Sequence, residues 1–306
     1  MALEISPADP QCPNFAARVT GLDIARGVSP DSAARLMDAI DTYGVLVFPE
    51  QDLSDDQHYA FSMHFGAMES ATGDIASLED RRLSMKVNDI SNLDKDGNVV
   101  ERDDRRRLFG LGNMLWHSDS SFKATPAKFS LLSAKVIPSD GGNTEFADMR
   151  AAFAGLDTNT QEQCRSLIAR HSQLYSRGLL GFDDFSEAQR KKWAPVLQRL
   201  VRTHPRTGAE SLYLSAHIGE IVDWPVPEAR MFIRDLTEHA TQRNFVYAHS
   251  WNTLDLVMWD NRVTMHRARR YDHTQRRDLH RTTVACEDPT VPGQSANAEA
   301  LAQVAS

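Results

Sequence analysis

A histidine and an aspartate two residues apart, His117 and Asp119, could do chemistry together. If residues 113–122 are extended, side chains two apart point to the same face, so the imidazole and the carboxylate would approach one point. They would then be two of the three ligands in a 2-His-1-carboxylate site for non-haem Fe(II). The chain has 11 His residues, so such a pair also arises by chance. A histidine hydrogen-bonded to an aspartate in a loop is the alternative.

A second histidine, His266, could supply the third ligand. We predict a turn at Asp260 and Asn261 between two short strands, and the second strand carries His266. His266 lies far from His117 in the sequence, so only a fold that joins distant strands, such as a jelly roll, would bring the two together. A core or surface histidine with a backbone partner is the alternative interpretation.

Two arginines on one predicted strand indicate an anion site. Arg277 and Arg281 are four residues apart, so their side chains share a face of the strand. Inward-facing guanidinium groups are costly without an anion, and a guanidinium binds a carboxylate through two parallel hydrogen bonds. Thr144 could donate a further hydroxyl hydrogen bond to one of those carboxylates. A solvent-facing strand is the alternative, because arginine is common in this part of the chain.

Composition limits the function classes. The chain has 306 residues, 41% of them hydrophobic, which suits one large domain or two ordinary ones. Its net charge of −8 gives no indication of nucleic-acid binding. Cys12, Cys164 and Cys286 form neither a disulfide framework nor a metal-binding spacing, which favours a reducing cytosol. We see no signal peptide and no run of transmembrane length, so we expect a cytoplasmic protein without a membrane partner.

Short strands separated by turns dominate from about residue 116 onward, with helices before and between them. Ser29 followed by Pro30 predicts the start of one helix, Ser54 predicts the start of a second, and residues 227–242 form an amphipathic third. We predict strands at residues 83–90, 129–137 and 279–286, and an extended segment at 171–180. The pattern is typical of a mixed α/β fold with a double-stranded β-helix (jelly-roll, cupin-like) core and flanking helices.

Residues 91–112 are rich in charges and turn formers and lead directly into the His-x-Asp segment. Either they form a solvated loop or they form a mobile lid that excludes water from a site. The last residues, 289–306, are rich in small and polar side chains, which predicts a flexible tail. We expect residues 1–288 to form a single domain.

Four segments taken together resemble one enzyme family. They read Leu-Trp-His-Ser-Asp-Ser-Ser-Phe, Gly-Gly-Asn-Thr-Glu-Phe-Ala-Asp-Met-Arg, Trp-Asp-Asn-Arg-Val-Thr-Met-His and Arg-Arg-Asp-Leu-His-Arg-Thr-Thr. The chain resembles the taurine dioxygenase family of Fe(II)/2-oxoglutarate-dependent oxygenases. Within it, residues 103–122 and 245–271 are most similar to the branch of aryloxyalkanoate dioxygenases that act on acids such as 2,4-dichlorophenoxyacetate. The resemblance runs from about residue 15 to residue 288.

The resemblance implies a role for each candidate residue. His117, Asp119 and His266 would bind Fe(II), leaving three positions for 2-oxoglutarate and O₂. Arg277 and Thr144 would hold the distal carboxylate of 2-oxoglutarate with Trp259 packed nearby. The residues that would face the anionic small-molecule substrate are Arg281 and Asn113. Hydroxylation beside an ether oxygen gives a hemiacetal, which collapses to a phenol and a keto acid, while 2-oxoglutarate becomes succinate and CO₂.

Two alternatives stay open at this point. Within the same family, taurine or another alkyl sulfonate is the rival substrate, because Arg281 would receive a sulfonate equally well. In a different class, a cupin-like protein could hold Zn²⁺ on the same ligands without redox chemistry, although Arg277 and Thr144 count against it. Lys86 and His204 are further candidates for substrate selection, and we expect a homo-oligomer.

Overall fold

Two facing β-sheets form the centre of the fold in the computed structural model, which describes residues 3–71, 75 and 79–293. Within these residues the α-helices are α1 Pro30–Tyr43, α2 Asp55–Ser62, α3 Arg105–Gly110, α4 Met149–Ala154, α5 Thr158–Ser166, α6 Gln173–Gly178, α7 Glu187–Lys192 and α8 Val226–Ala240. The first strands are β1 Glu4–Pro7, β2 Ala17–Thr20, β3 Val45–Phe48, β4 Asn88–Asp89, β5 Ala127–Val136, β6 Thr144–Asp148, β7 Ile168–His171 and β8 Val196–Arg199. The remaining strands are β9 Val201–Thr203, β10 Glu210–Leu212, β11 Ile218–Ile221, β12 Val246–His249, β13 Leu256–Asp260, β14 Thr264–Ala268 and β15 Asp278–Ala285.

The larger sheet has the strand order β1-β2-β3-β13-β5-β15-β4, and the smaller facing sheet has the order β12-β6-β14. Strands far apart in sequence are neighbours, as in the antiparallel pairs β5–β15 and β6–β14. Side chains from both sheets fill the space between them, including Leu132, Phe146, Tyr247, Trp259 and Leu279. This confirms the predicted mixed α/β fold with a jelly-roll core.

Helices cover the outer faces of both sheets. Leu36 and Ile40 of α1 and Phe61 of α2 pack with Phe129 and Leu131 of the larger sheet. On the other side, α4 and α8 pack against the smaller sheet through a separate apolar cluster. The core between the sheets is thereby shielded on both sides, and it can hold side chains in fixed positions.

The helix starts follow the capping signals in the sequence. The Ser29 hydroxyl accepts a hydrogen bond from the Ser32 N–H at 3.1 Å, and Pro30 occupies the first turn. Ser54 and Gln57 form a reciprocal capping box at α2. Gly44 ends α1 with φ of 69°, a left-handed conformation that favours glycine.

Several element predictions were wrong. Residues 171–180, predicted as extended, contain α6, because the Ser172 hydroxyl caps the Leu174 N–H at 3.1 Å and starts a helix. Residues 83–90 contain only the two-residue strand β4. Residues 91–112 contain α3, which Asp104 caps, so they are more than a solvated loop.

Two further expectations concern the ends of the chain and membranes. Residues 294–306, most of the expected tail, lie outside the described residues. No helix in the described part combines the length and the apolar character needed to cross a bilayer.

Candidate active site

Two histidines and an aspartate meet at one end of the space between the sheets. Ligand atoms of His117, Asp119 and His266 all lie within 4.8 Å of one another. The Nε2 atoms of both histidines are 3.8 Å from the Asp119 carboxylate, one facing each oxygen. All three side chains are buried. Two imidazole nitrogens and one carboxylate form a donor set that fits Fe(II).

Backbone pairing brings the two histidines together. The His117 N–H donates to the His266 carbonyl at 2.9 Å, and the His266 N–H donates to the His117 carbonyl at 2.8 Å. His266 lies on β14, whereas His117 is extended at a single bridge outside the named strands. Asp119 is in a turn, and Ser120 after it has φ of 52°. A tight turn therefore aims the carboxylate at the imidazoles, where we had predicted an extended segment.

Hydrogen bonds and charges fix the protonation of the three side chains. The carbonyl of Leu115 lies 2.7 Å from His117 Nδ1, so this nitrogen donates its proton there and leaves Nε2 free as a ligand. Burial, followed by the imidazole of His117, holds the pKa of His266 well below its usual range. Burial alone would raise the pKa of the Asp119 carboxyl, but the charge of Arg281 is the largest opposing effect, and the pKa is lowered to about 2. The site thus presents neutral imidazoles and an ionised carboxylate.

Two residues that sequence reasoning missed hold Asp119 in place. The Ser130 hydroxyl donates to Asp119 Oδ2 at 2.7 Å and accepts from the Asn261 side-chain amide at 3.0 Å. Asn261 Oδ1 accepts from the Asp119 N–H at 3.1 Å and from the Trp259 indole N–H at 3.0 Å. Partners of this kind orient metal ligands and tune their affinity.

We expect Ser130→Ala to weaken metal binding roughly tenfold, since residues that orient a metal ligand typically contribute 10–100-fold. Anaerobic titration with Fe(II) or Mn(II) measures this. Ser133→Ala is the matched control, because Ser133 is also buried on β5 and its hydroxyl has no hydrogen-bond partner among the described residues. Equal metal affinity in the two variants would contradict the role of Ser130.

A second anchor lies beside the triad, where Arg277 and Thr144 line the same cavity. The Arg277 side chain is buried, its Nε has no partner among the described residues, and its best contacts are carbonyls at 3.4 and 3.5 Å. Burial lowers the pKa of Arg277. The Thr144 hydroxyl accepts from the Trp251 indole at 3.0 Å. A buried guanidinium without an acidic partner beside a hydroxyl fits the distal carboxylate of 2-oxoglutarate.

The cavity around these residues has a volume of about 1050 Å³. Among the described residues that line it are eleven Lys or Arg and six Asp or Glu, an excess of positive charge in a chain whose net charge is −8. A cavity of opposite sign to the whole molecule attracts anionic ligands.

One wall of this cavity is apolar. Phe109 and Phe122 line it and belong to a buried cluster that includes Trp193. Phe109 stacks on Trp193 with ring centroids 5.7 Å apart. Asn113 also lines the cavity. An apolar wall of this kind can bury an aromatic ring, and sequence alone did not locate it.

Trp259 and Arg281 both line the cavity, and their roles stay predictions. The Trp259 ring packs against His266 with centroids 4.7 Å apart. Arg281 lines the cavity and pairs through Nη1 with Asp119 Oδ1, a contact that was not predicted. Its Nε is buried and has no hydrogen-bond partner among the described residues.

The predicted substrate contacts of Lys86 and His204 are wrong. Lys86 lies outside the cavity lining and pairs with Asp56 at 2.9 Å on the surface. His204 is buried elsewhere, with Nε2 3.4 Å from carboxylate oxygens of Asp41 and Asp260. Lys86 is thus held by a surface ion pair, and His204 is packed against two carboxylates from distant parts of the chain.

The chain was compared with known protein families. The family model described as "Taurine catabolism dioxygenase TauD, TfdA family" matches residues 4–283. The chain belongs to this family. It is therefore an oxidoreductase, a dioxygenase that uses Fe(II), 2-oxoglutarate and O₂, which confirms the predicted enzyme class.

Several members of the TauD/TfdA family are similar over nearly their full length. The alpha-ketoglutarate-dependent 2,4-dichlorophenoxyacetate dioxygenase of Cupriavidus pinatubonensis is 45% identical over 276 residues, covering 90% of this chain and 96% of the relative. The (S)-phenoxypropionate/alpha-ketoglutarate-dioxygenase of Sphingobium herbicidovorans is 34% identical, covering 93% and 95%. The crystal structure of AAD-2 with Mn(II) and N-oxalylglycine is 51% identical, with a TM-score of 0.92, and covers 95% of this chain and all of that one.

Proposed function

We propose that the protein hydroxylates an aryloxyalkanoic acid at the carbon next to its ether oxygen. The hemiacetal formed collapses to a phenol and a keto acid, which is glyoxylate when the substrate is an aryloxyacetate. One O₂ is consumed, and 2-oxoglutarate becomes succinate and CO₂. The observation that carries the proposal is a cavity that joins a cationic interior to an aromatic wall, in a chain 45% identical to a 2,4-dichlorophenoxyacetate dioxygenase.

In this proposal His117, Asp119 and His266 hold Fe(II), and Arg277 with Thr144 holds the distal carboxylate of 2-oxoglutarate. Bound Fe(II), with 2-oxoglutarate and O₂, supplies the oxidant for the C–H bond. Three protein ligands would leave other coordination positions of Fe(II) open to 2-oxoglutarate and O₂. Asn261 and Ser130 keep the Asp119 carboxylate oriented through the hydrogen bonds described above.

The substrate is oriented by its two ends. Its carboxylate binds the guanidinium of Arg281, while its ring packs on the wall of Phe109 and Phe122. Asn113 lines the same cavity and can donate a side-chain hydrogen bond. Two fixed ends hold the ether-side carbon near the metal, and a small misplacement there would reduce the rate steeply.

Product analysis across a substrate panel tests the proposal. We expect aryloxyacetates and aryloxypropionates to yield phenol and succinate in equal amounts, and taurine to yield little succinate. Methoxyacetate, which keeps the carboxylate and ether but lacks the ring, is the control. It should bind roughly tenfold or more weakly, because burying a ring of this size contributes about 1.5–3 kcal/mol. Greater succinate formation with taurine than with every aryloxy acid would assign the chain to alkyl sulfonates.

Further parts of the proposal concern the setting of the enzyme. We propose a single catalytic domain at residues 1–288 that acts in the cytoplasm without nucleic-acid or membrane partners. Three free cysteines support a reducing compartment, and the net charge of −8 disfavours nucleic acid. A homo-oligomer stays a prediction, and light scattering of the purified protein is its test.

A further inference from the structure

One cation inside the cavity has no role in the scheme above. Arg177, on α6, lines the cavity and is only 4% exposed. No described carboxylate lies within ion-pair distance of its guanidinium, and its Nε has no hydrogen-bond partner among the described residues. Its hydrogen bond to protein runs from Nη1 to the Ser176 hydroxyl at 3.0 Å. Burying a charge with so few partners is costly, so an anion from outside the protein is the expected partner.

Packing fixes this guanidinium at the cavity wall. Its Cζ lies 4.3 Å from the centroid of the Phe109 ring. On another side is Gly112, where an added Cβ would lie 2.3 Å from Arg177 Cζ. The glycine therefore leaves the space that the guanidinium occupies, and the ring below it provides a cation–π contact. A side chain held this way is preorganised for a ligand.

Arg177 is also close to the reacting end of the cavity. Ser176 bridges Arg177 to His217, whose Nδ1 lies 2.9 Å from the Ser176 hydroxyl. The His217 ring is 6.0 Å from that of His117. Burial, followed by repulsion from the charge of Arg281, lowers the pKa of Arg177 to about 10, so it stays charged at neutral pH. Both guanidinium groups line the cavity that also contains the metal-ligand triad, where one anion would relieve their repulsion.

We propose that Arg177 is a second binding residue for the carboxylate of the primary substrate, which it shares with Arg281. The inference rests on the proposed function, since an aryloxyalkanoate is what brings a carboxylate to this region. Two guanidinium groups explain how the anion is held although Arg281 also pairs with Asp119. Because Arg177 lies over the Phe109 ring, the aromatic ring and the carboxylate of one substrate would contact adjacent parts of the same cavity wall.

Arg177→Met tests the proposal, because methionine fills similar space without charge. Ligand binding is measured by calorimetry on protein loaded with Fe(II) and 2-oxoglutarate without O₂. The probes are an aryloxyacetate and the matching 2-aryloxyethanol, which lacks the carboxylate. We expect the variant to bind the acid roughly tenfold more weakly, as for loss of a charge-assisted contact. Its affinity for the alcohol should change less than twofold. Gly112→Ala, which displaces the same guanidinium, should have the same selective effect.

The matched control is Arg190→Met, since Arg190 also stacks on an aromatic ring, Phe185, but is exposed. It should leave both affinities unchanged. The ligand-free Arg177→Met variant should melt at least as high as the wild type, because an unpaired buried cation has been removed.

Three results would overturn the proposal for Arg177. These are unchanged affinity for the acid, equal loss for acid and alcohol, and loss confined to 2-oxoglutarate. A wild-type protein that binds no aryloxyalkanoate would overturn the proposed function as well, so the two failures are distinguishable.

Discussion

Asp119→Ala is expected to abolish 2-oxoglutarate turnover. The variant removes the only carboxylate in the triad of buried ligand atoms, and two imidazoles then remain to hold the metal. Changes in residues that merely orient a metal ligand cost roughly 10–100-fold in affinity or activity, so loss of the ligand itself should exceed that range. Succinate formation and anaerobic Fe(II) titration measure the effect.

Asp56→Ala is the control for this experiment, because Asp56 pairs with Lys86 on the surface, far from the cavity lining. Asp119→Ala also leaves Arg281 without its acidic partner, so a melting curve has to show that the variant is folded. Addition of Zn²⁺ to the wild type should inhibit it, since zinc has no redox chemistry. Activity sustained by Zn²⁺, or retained in Asp119→Ala, would contradict the assignment.

Local signals predicted the parts of the fold that depend on neighbouring residues. Ser29 and Ser54 cap their helices because the capping groups are three residues apart in sequence. The prediction of an extended segment at residues 171–180 was wrong, because the Ser172 cap starts a helix there and tertiary contacts support it. Within α6 the Tyr175 ring packs over Gly219, where a Cβ would lie 2.4 Å from the ring. That contact joins residues distant in sequence, so no short-range pattern predicts it. Because α6 was not predicted, the position of Arg177 in the cavity was not predicted either.

In the candidate site, too, some residues could be predicted from sequence motifs, whereas others depend on contacts between distant strands. His117 and His266 were paired through a family motif, since their own spacing says nothing of the backbone bridge that joins them. Ser130 was missed because it reaches the site only through the register of β5 with β13, in which Ser130 is opposite Trp259. Polar partners of this kind can be identified only when the pairing register of the strands is known, and the sequence alone does not give that register.

Lys86 and His204 were predicted to bind the substrate but do not line the cavity. Each is a plausible anion-binding residue by type, but each faces carboxylates distant in sequence, Asp56 in one case and Asp41 with Asp260 in the other. Residue type indicates what a side chain could bind, whereas the absence of an internal carboxylate partner indicates that its charge is available to a ligand. Among the described residues, Arg277 and Arg177 contact neutral protein oxygens and no carboxylate.

Arg277→Ala should raise the 2-oxoglutarate concentration needed for half-maximal rate by roughly 100-fold. Loss of a charge-assisted contact to a carboxylate costs about 1.5–3 kcal/mol, and the upper part of that range corresponds to roughly 100-fold. For Arg277→Lys this concentration should lie between those of the wild type and Arg277→Ala, because an ammonium group keeps the charge but cannot form two parallel hydrogen bonds. Arg276→Ala is the matched control, since the neighbouring Arg276 is exposed.

The decisive comparison for Arg277 is between the two ligands of one reaction. Arg277 lies beside Thr144 in the cavity and makes no contact with Asp119 like that of Arg281, so its loss should spare the primary substrate. We therefore expect a large change in the KM for 2-oxoglutarate and less than a threefold change in the KM for the aryloxyalkanoate. Rates measured across both concentrations separate the two constants. If both KM values rise together, Arg277 organises the whole cavity, and the assignment of its guanidinium to the 2-oxoglutarate carboxylate is wrong.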